Sequence, residues 1–75
     1  MQNEQKQIKR ILVKNIKKYR SQKRLTQEQA AELAGITAKY WQRLEMLSQI
    51  DLPSLKVLFK LAQVLKILPS QLLEK

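Results

Sequence analysis

Gly35 is the only glycine in this 75-residue chain, and it stands between two stretches with helical apolar spacing. A residue without a Cβ takes up the left-handed backbone conformation cheaply, so it suits a point where a helix stops and the chain turns. Thr26 immediately precedes the first stretch and Thr37 the second. Hydroxyls at such places accept hydrogen bonds from the free N–H groups of a helix start. Gln29, three residues after Thr26, completes a capping-box spacing. The run Gln27 to Glu45, QEQAAELAGITAKYWQRLE, therefore predicts two short helices meeting at Gly35: one from about Gln27 to Ala34, the other from about Ala38 to Met46.

Two short helices joined by a three- to four-residue turn with a glycine form a helix-turn-helix unit. In the first, Ala30, Ala31 and Ala34 are expected inside, with Leu33 near the edge. Ile36 anchors the turn, and Trp41 and Leu44 face inward from the second helix. Tyr40 sits at the edge of the core, while Lys39, Gln42 and Arg43 point away. The remaining segments are built around this unit. Residues 1–7 are polar and read as a frayed or disordered start. From Ile8 the positions Ile8, Ile11, Leu12, Ile16 and Tyr19 follow one helix face. Lys9, Arg10, Lys14, Lys17, Lys18 and Lys23 lie mostly off that face, giving a basic amphipathic helix that ends near Arg24. Residues 47–52 break the periodicity and read as a loop. Pro53 and Ser54 signal a helix start, with Leu55, Leu58, Phe59, Ala62 and Leu65 as its stripe. Pro69 opens a short last helix through Leu72 and Leu73. No strand-like alternation occurs, so the expected fold is an all-α, compact five-helix bundle, a single domain over residues 8–75.

Charge narrows the function. Fifteen Lys and Arg face six Asp and Glu, a net +9, and the pI is near 10.2. Residues 1–24 hold nine bases and one acid, residues 25–47 two bases and three acids, and residues 48–75 four bases and two acids. Such a balance is either the footprint of a nucleic-acid binder or a solvated lysine-rich helix. With no cysteine and no histidine, disulfides, thiol nucleophiles and the usual zinc ligands are excluded. The scattered carboxylates offer no acid–base pair, so an enzyme is not expected, nor any cofactor, metal or small-molecule substrate. No apolar run approaches the ~18 residues of a membrane span, and MQNEQKQIKR lacks the apolar core of a signal peptide. A cytoplasmic location is the default expectation.

The stretch Gln27–Glu45 resembles the helix-turn-helix of Cro and phage repressors, the XRE family of bacterial and phage regulators. Asn15–Arg20 (NIKKYR) is similar to that family's first helix, Leu25–Thr37 (LTQEQAAELAGIT) to its turn, Pro53–Ile67 (PSLKVLFKLAQVLKI) to its fourth helix and Pro69–Glu74 (PSQLLE) to its fifth. Four segments in order, over about 60 of the 75 residues, make a far more specific signal than one small-residue turn. The resemblance implies a lambda-repressor-like domain that binds double-stranded DNA, usually as a homodimer. By position, Gln27 matches a glutamine that holds a phosphate. Thr37, Ala38, Lys39, Gln42 and Arg43 match the exposed positions of the recognition helix. Arg20 and Glu45 match an internal ion pair. The chain departs from the family after Glu45, where Met46 and Leu47 stand in place of x-Gly and the loop to Pro53 is about two residues longer. Ala30 replaces a common leucine.

In that reading the second helix of the unit enters the major groove. Arg43 and Lys39 suit guanine O6/N7 and Gln42 suits adenine N6/N7, or each binds phosphate instead. Trp41 belongs to the core rather than to base stacking. Val57, Val64, Ile67, Leu68 and Leu72 exceed what one stripe per helix buries, which points either to dimerisation through the last two helices, with the apolar loop 46–52 as second choice, or to burial of most of them within the monomer. A repressor-type regulator is the leading expectation. The alternative is a protein-interaction module or antitoxin-type partner on the same fold.

Overall fold

The structure, a computed structural model, describes residues 2–75, with side chains from Glu4 onward. Its elements are α1 (Gln2–Gln22), α2 (Gln27–Ala34), α3 (Ala38–Leu44), α4 (Leu55–Leu65) and a 3₁₀ helix (Pro69–Leu73), with no strand among the described residues. α1 is helical from Gln2 rather than from about Ile8. Met1 lies outside the described residues, and the frayed start expected for 1–7 is in part replaced by helix.

One apolar cluster organises the chain. Leu12 and Ile16 of α1, Ala30, Ala31 and Ala34 of α2, Trp41 and Leu44 of α3, Leu58, Leu61, Ala62 and Leu65 of α4, and Leu72 form it. The three alanines let α3 and α4 approach α2 closely, because short side chains leave no ridge to clear. The radius of gyration, 11.3 Å, is that of a compact chain of this length, about 11 Å.

The local signals set the ends of the helices. The Thr26 hydroxyl accepts from Gln29 N–H at 3.0 Å, and the Gln29 side chain accepts from Thr26 N–H at 2.9 Å. Thr37 caps α3 by accepting from Tyr40 N–H at 3.0 Å, and Ser54 caps α4 by accepting from Val57 N–H at 3.2 Å. Gly35 sits at φ +71° as the C-cap of α2. Lys66 takes the same left-handed conformation at the end of α4, with φ +58°.

Three sequence expectations are corrected. The inner face of α1 is Lys9, Leu12, Val13, Asn15 and Ile16, whereas Ile8 is 41% exposed. Lys9 turns inward because its ammonium finds two carbonyls, at Arg43 and at Asp51, both at 3.1 Å. Asn15 does so because its amide donates to Leu72 O at 2.9 Å and Glu74 O at 2.8 Å, tying the end of the chain to α1. On α4, Leu55 and Phe59 are exposed and Leu61 is buried instead. Phe59 lies about 160° around the helix from the fully buried Leu61, so it faces away from the core. Finally, the fifth element is a 3₁₀ helix, so the described residues form four α-helices rather than five. Five residues behind a proline close too few i→i+4 bonds to settle as α-helix. The Gln71 side chain accepts from Leu68 N–H at 2.8 Å at its start.

Candidate nucleic-acid interface

The turn at Gly35 brings the N-terminal ends of α2 and α3 together. Thr26, Gln27 and Glu28 from one side and Ala38, Lys39 and Gln42 from the other line an open cleft of about 550 Å³. Lys39 and Gln42 are one helical turn apart and both exposed, so they share a face. Four of the six residues assigned from sequence to this surface, Gln27, Ala38, Lys39 and Gln42, thus meet in one place. Thr37 lies beside them, with its oxygen engaged as the α3 cap. Arg43 is exposed next to Gln42, but its Nη2 is 3.1 Å from Oδ2 of Asp51. Sequence reasoning missed Glu28 and Asp51 here. Asp51 left one signal: it is the only charged residue between Glu45 and Lys56.

The cleft rests on a buried polar cluster. Arg20 Nε donates to Glu45 Oε2 at 2.7 Å and Nη2 to Oε1 at 3.0 Å, while Nη1 donates to Leu25 O at 2.8 Å. Trp41 Nε1 donates to Glu45 Oε2 at 2.6 Å, and Gln27 Nε2 to Oε1 at 3.0 Å. Burial pushes the Glu45 carboxyl up, but the hydrogen bonds from Arg20, Gln27 and Trp41 and the charge of Arg20 more than offset it, leaving the group below its ordinary value. One carboxylate thereby joins the ends of α1 and α3 to the first residue of α2. The side-chain amide of Gln27, expected to hold phosphate, points its donor at Glu45. Trp41 is fully buried, as its core reading requires.

Beside α3, the loop that follows Leu44 is held by α1. Lys9 bridges Arg43 O and Asp51 O, and Gln5 Nε2 donates to Ile50 O at 3.0 Å. Burial pulls the Lys9 ammonium below its usual range, with the nearby Asp51 carboxylate opposing and Arg43 assisting. Met46, Leu47, Ile50 and Leu52 of this loop remain exposed. No group of His, Cys, Asp or Glu that could hold a metal exists among the described residues, and no helix among them is long and apolar enough to cross a membrane.

A capped pair of short helices around a left-handed glycine, with a polar outward face on the second, defines a helix-turn-helix domain. The family profile described as Helix-turn-helix matches residues 16–72. The chain belongs to this family, the Cro/C1-type or XRE group of DNA-binding, non-enzymatic transcription-regulator domains. No curated protein and no solved structure matches the chain.

Proposed function

We propose that this protein is a sequence-specific, cytoplasmic transcriptional repressor that inserts α3 into the major groove of double-stranded DNA. The observation that carries the reading is the shared cleft of Gln27, Ala38, Lys39 and Gln42 on a chain of net charge +9. Lys39 and Gln42 stand on the exposed face of α3 with donors free to reach base edges. Lys14, Lys17, Lys18, Lys23 and Arg24 are exposed along and after α1 and add phosphate attraction that speeds association.

One reading head of this size makes few contacts, so operator discrimination calls for two half-sites and a homodimer. Most of the residues that the sequence offered for it are used inside the monomer. Leu72 is buried and Val57, Val64 and Ile67 are packed against the core, leaving Leu68 as the exposed member of that set. The better surface is the groove lined by Ile8, Leu12, Leu52, Pro53, Leu55, Leu58 and Leu73, with Phe59 one helical turn beyond Leu55. Leu55 is 74% and Phe59 59% exposed. That groove also supports the second reading, an interaction module whose main partner is another protein.

Selection from a random duplex library separates the readings, with the Gln42→Ala/Arg43→Ala variant run in parallel. The expected result is an inverted repeat with half-sites about 10 bp apart that the variant fails to enrich. Binding that is steep in salt but enriches nothing would reduce the role to phosphate attraction. No binding at all would leave the interaction module.

A further inference from the structure

Arg43 is the recognition-helix residue best suited to guanine, yet its guanidinium faces a carboxylate of the same chain. The arrangement is built at two levels. A single ammonium, that of Lys9, donates to the backbone carbonyls of both Arg43 and Asp51. Gln5 holds the preceding carbonyl, at Ile50. The loop backbone is therefore fixed against α1 on the approach to Asp51, and its carboxylate is delivered to Nη2 of Arg43 at 3.1 Å. The contact uses one nitrogen and leaves Nε and Nη1 of Arg43 without a hydrogen-bond partner among the described residues. Residues 46–55 contain no cation at all, so this loop brings no positive charge to a phosphate and one group that repels it.

We propose that Asp51 is a specificity-determining residue of the DNA-binding surface, withholding Arg43 from the phosphates of non-cognate duplex and yielding it to a base edge with paired acceptors. The inference rests on the DNA-binding reading given above. A half-exposed ion pair is weak, so it competes with a single phosphate contact but gives way to bidentate hydrogen bonding at guanine O6/N7. Asp51 thereby lowers affinity for random DNA more than affinity for the operator, and the ratio of the two rises.

The test is a double-mutant cycle on the full chain. Fluorescence anisotropy measures binding to the selected duplex and to a random duplex of equal length, over a salt series, for wild type, Asp51→Asn, Arg43→Ala and the double variant. Asparagine keeps the backbone carbonyl that Lys9 holds, and thermal melting checks that each variant is folded. With Asp51→Asn, affinity for random duplex is expected to rise about 3-fold or more and its salt slope to steepen by about 0.9, as one more phosphate is neutralised. The operator-to-random ratio falls, and the gain on random duplex shrinks when Arg43 is alanine. An equal gain in both Arg43 backgrounds would reduce Asp51 to bulk charge and overturn the proposal, as would an unchanged ratio. Absence of DNA binding by the wild type would overturn the functional reading itself, a result distinct from either.

Discussion

Arg20 grips Glu45 at two points, Nε to Oε2 at 2.7 Å and Nη2 to Oε1 at 3.0 Å, across the 25 residues that separate the end of α1 from the cap of α3. The Glu45 side chain is 1% exposed and that of Arg20 18%. Removing one member of such a pair leaves the other buried without its counter-charge, at a cost of about 3–5 kcal/mol. Glu45→Ala is expected to destabilise by that amount, and more than Arg20→Ala, since it also strands the donors of Trp41 and Gln27. The double variant should lose less than the two single losses added together. Urea unfolding followed by the fluorescence of Trp41, the only tryptophan, measures all three.

Acid should weaken the fold through the same residue. Glu45 has its folded-state pKa below the ordinary 4.5, so folding favours its ionised form. The stabilisation is complete above the unfolded-state value and is lost as pH falls from there through the depressed folded-state value. Melting temperatures recorded downward from pH 6 should decline from about pH 4.5. Glu45→Gln begins less stable but should decline less steeply, because the linked proton is gone.

These polar ties mark the boundary of what the sequence could convey. The helix-turn-helix was legible because its signals are local: Thr26, Gln29, Thr37 and Gly35 each act within a few residues of their position. The cleft residues followed, by position, from the resemblance to the helix-turn-helix of Cro and phage repressors. Lys9 and Asn15 were not legible, since their inward turn depends on carbonyls 34 to 59 residues away. A lysine on a lysine-rich helix gives no hint that one ammonium among many is buried. The face of α4 was misjudged for a related reason. Its apolar surface is wider than one stripe, and the elements packed against it, α1, α2 and the 3₁₀ helix, decide that Leu61 goes in while Leu55 and Phe59 stay out.

Asn15 supports a prediction about the last segment. Its amide is the donor for Leu72 O and Glu74 O, and Asn15→Ala leaves the buried carbonyl unsatisfied at a cost of about 1–3 kcal/mol. The loss should be local before it is global. Amide exchange of residues 69–73 is expected to speed up under native conditions while that of α2 and α3 changes little.

The exposed leucine and phenylalanine of α4 make the oligomer testable without harming the core. Leu55→Gln and Phe59→Gln replace side chains that bury little in the monomer, so stability should stay within about 0.5 kcal/mol at low concentration. If the groove beside them joins two copies, sedimentation velocity should show the wild type moving toward a dimer as concentration rises and the double variant remaining monomeric. Operator affinity should drop with the loss of the dimer, while contact with a single half-site persists.

Two helix ends with the same backbone conformation but different residues should respond to substitution with opposite signs. Gly35 ends α2 at φ +71°, and a Cβ added there meets no atom within 4 Å. Gly35→Ala therefore carries no clash, only the left-handed penalty of an L-residue, about 1–2 kcal/mol, part of it returned through the less flexible unfolded chain. Lys66 ends α4 at φ +58° and already bears that penalty. Lys66 is exposed, and its backbone N–H donates to Ala62 O and Gln63 O, bonds that glycine keeps. Lys66→Gly should thus stabilise, by up to about 1 kcal/mol once its greater unfolded-state entropy is counted. Thermal melts of the two variants beside the wild type decide it: one midpoint below, one above. A drop for both would mean that the Lys66 side chain contributes more at the end of α4 than its backbone strain costs.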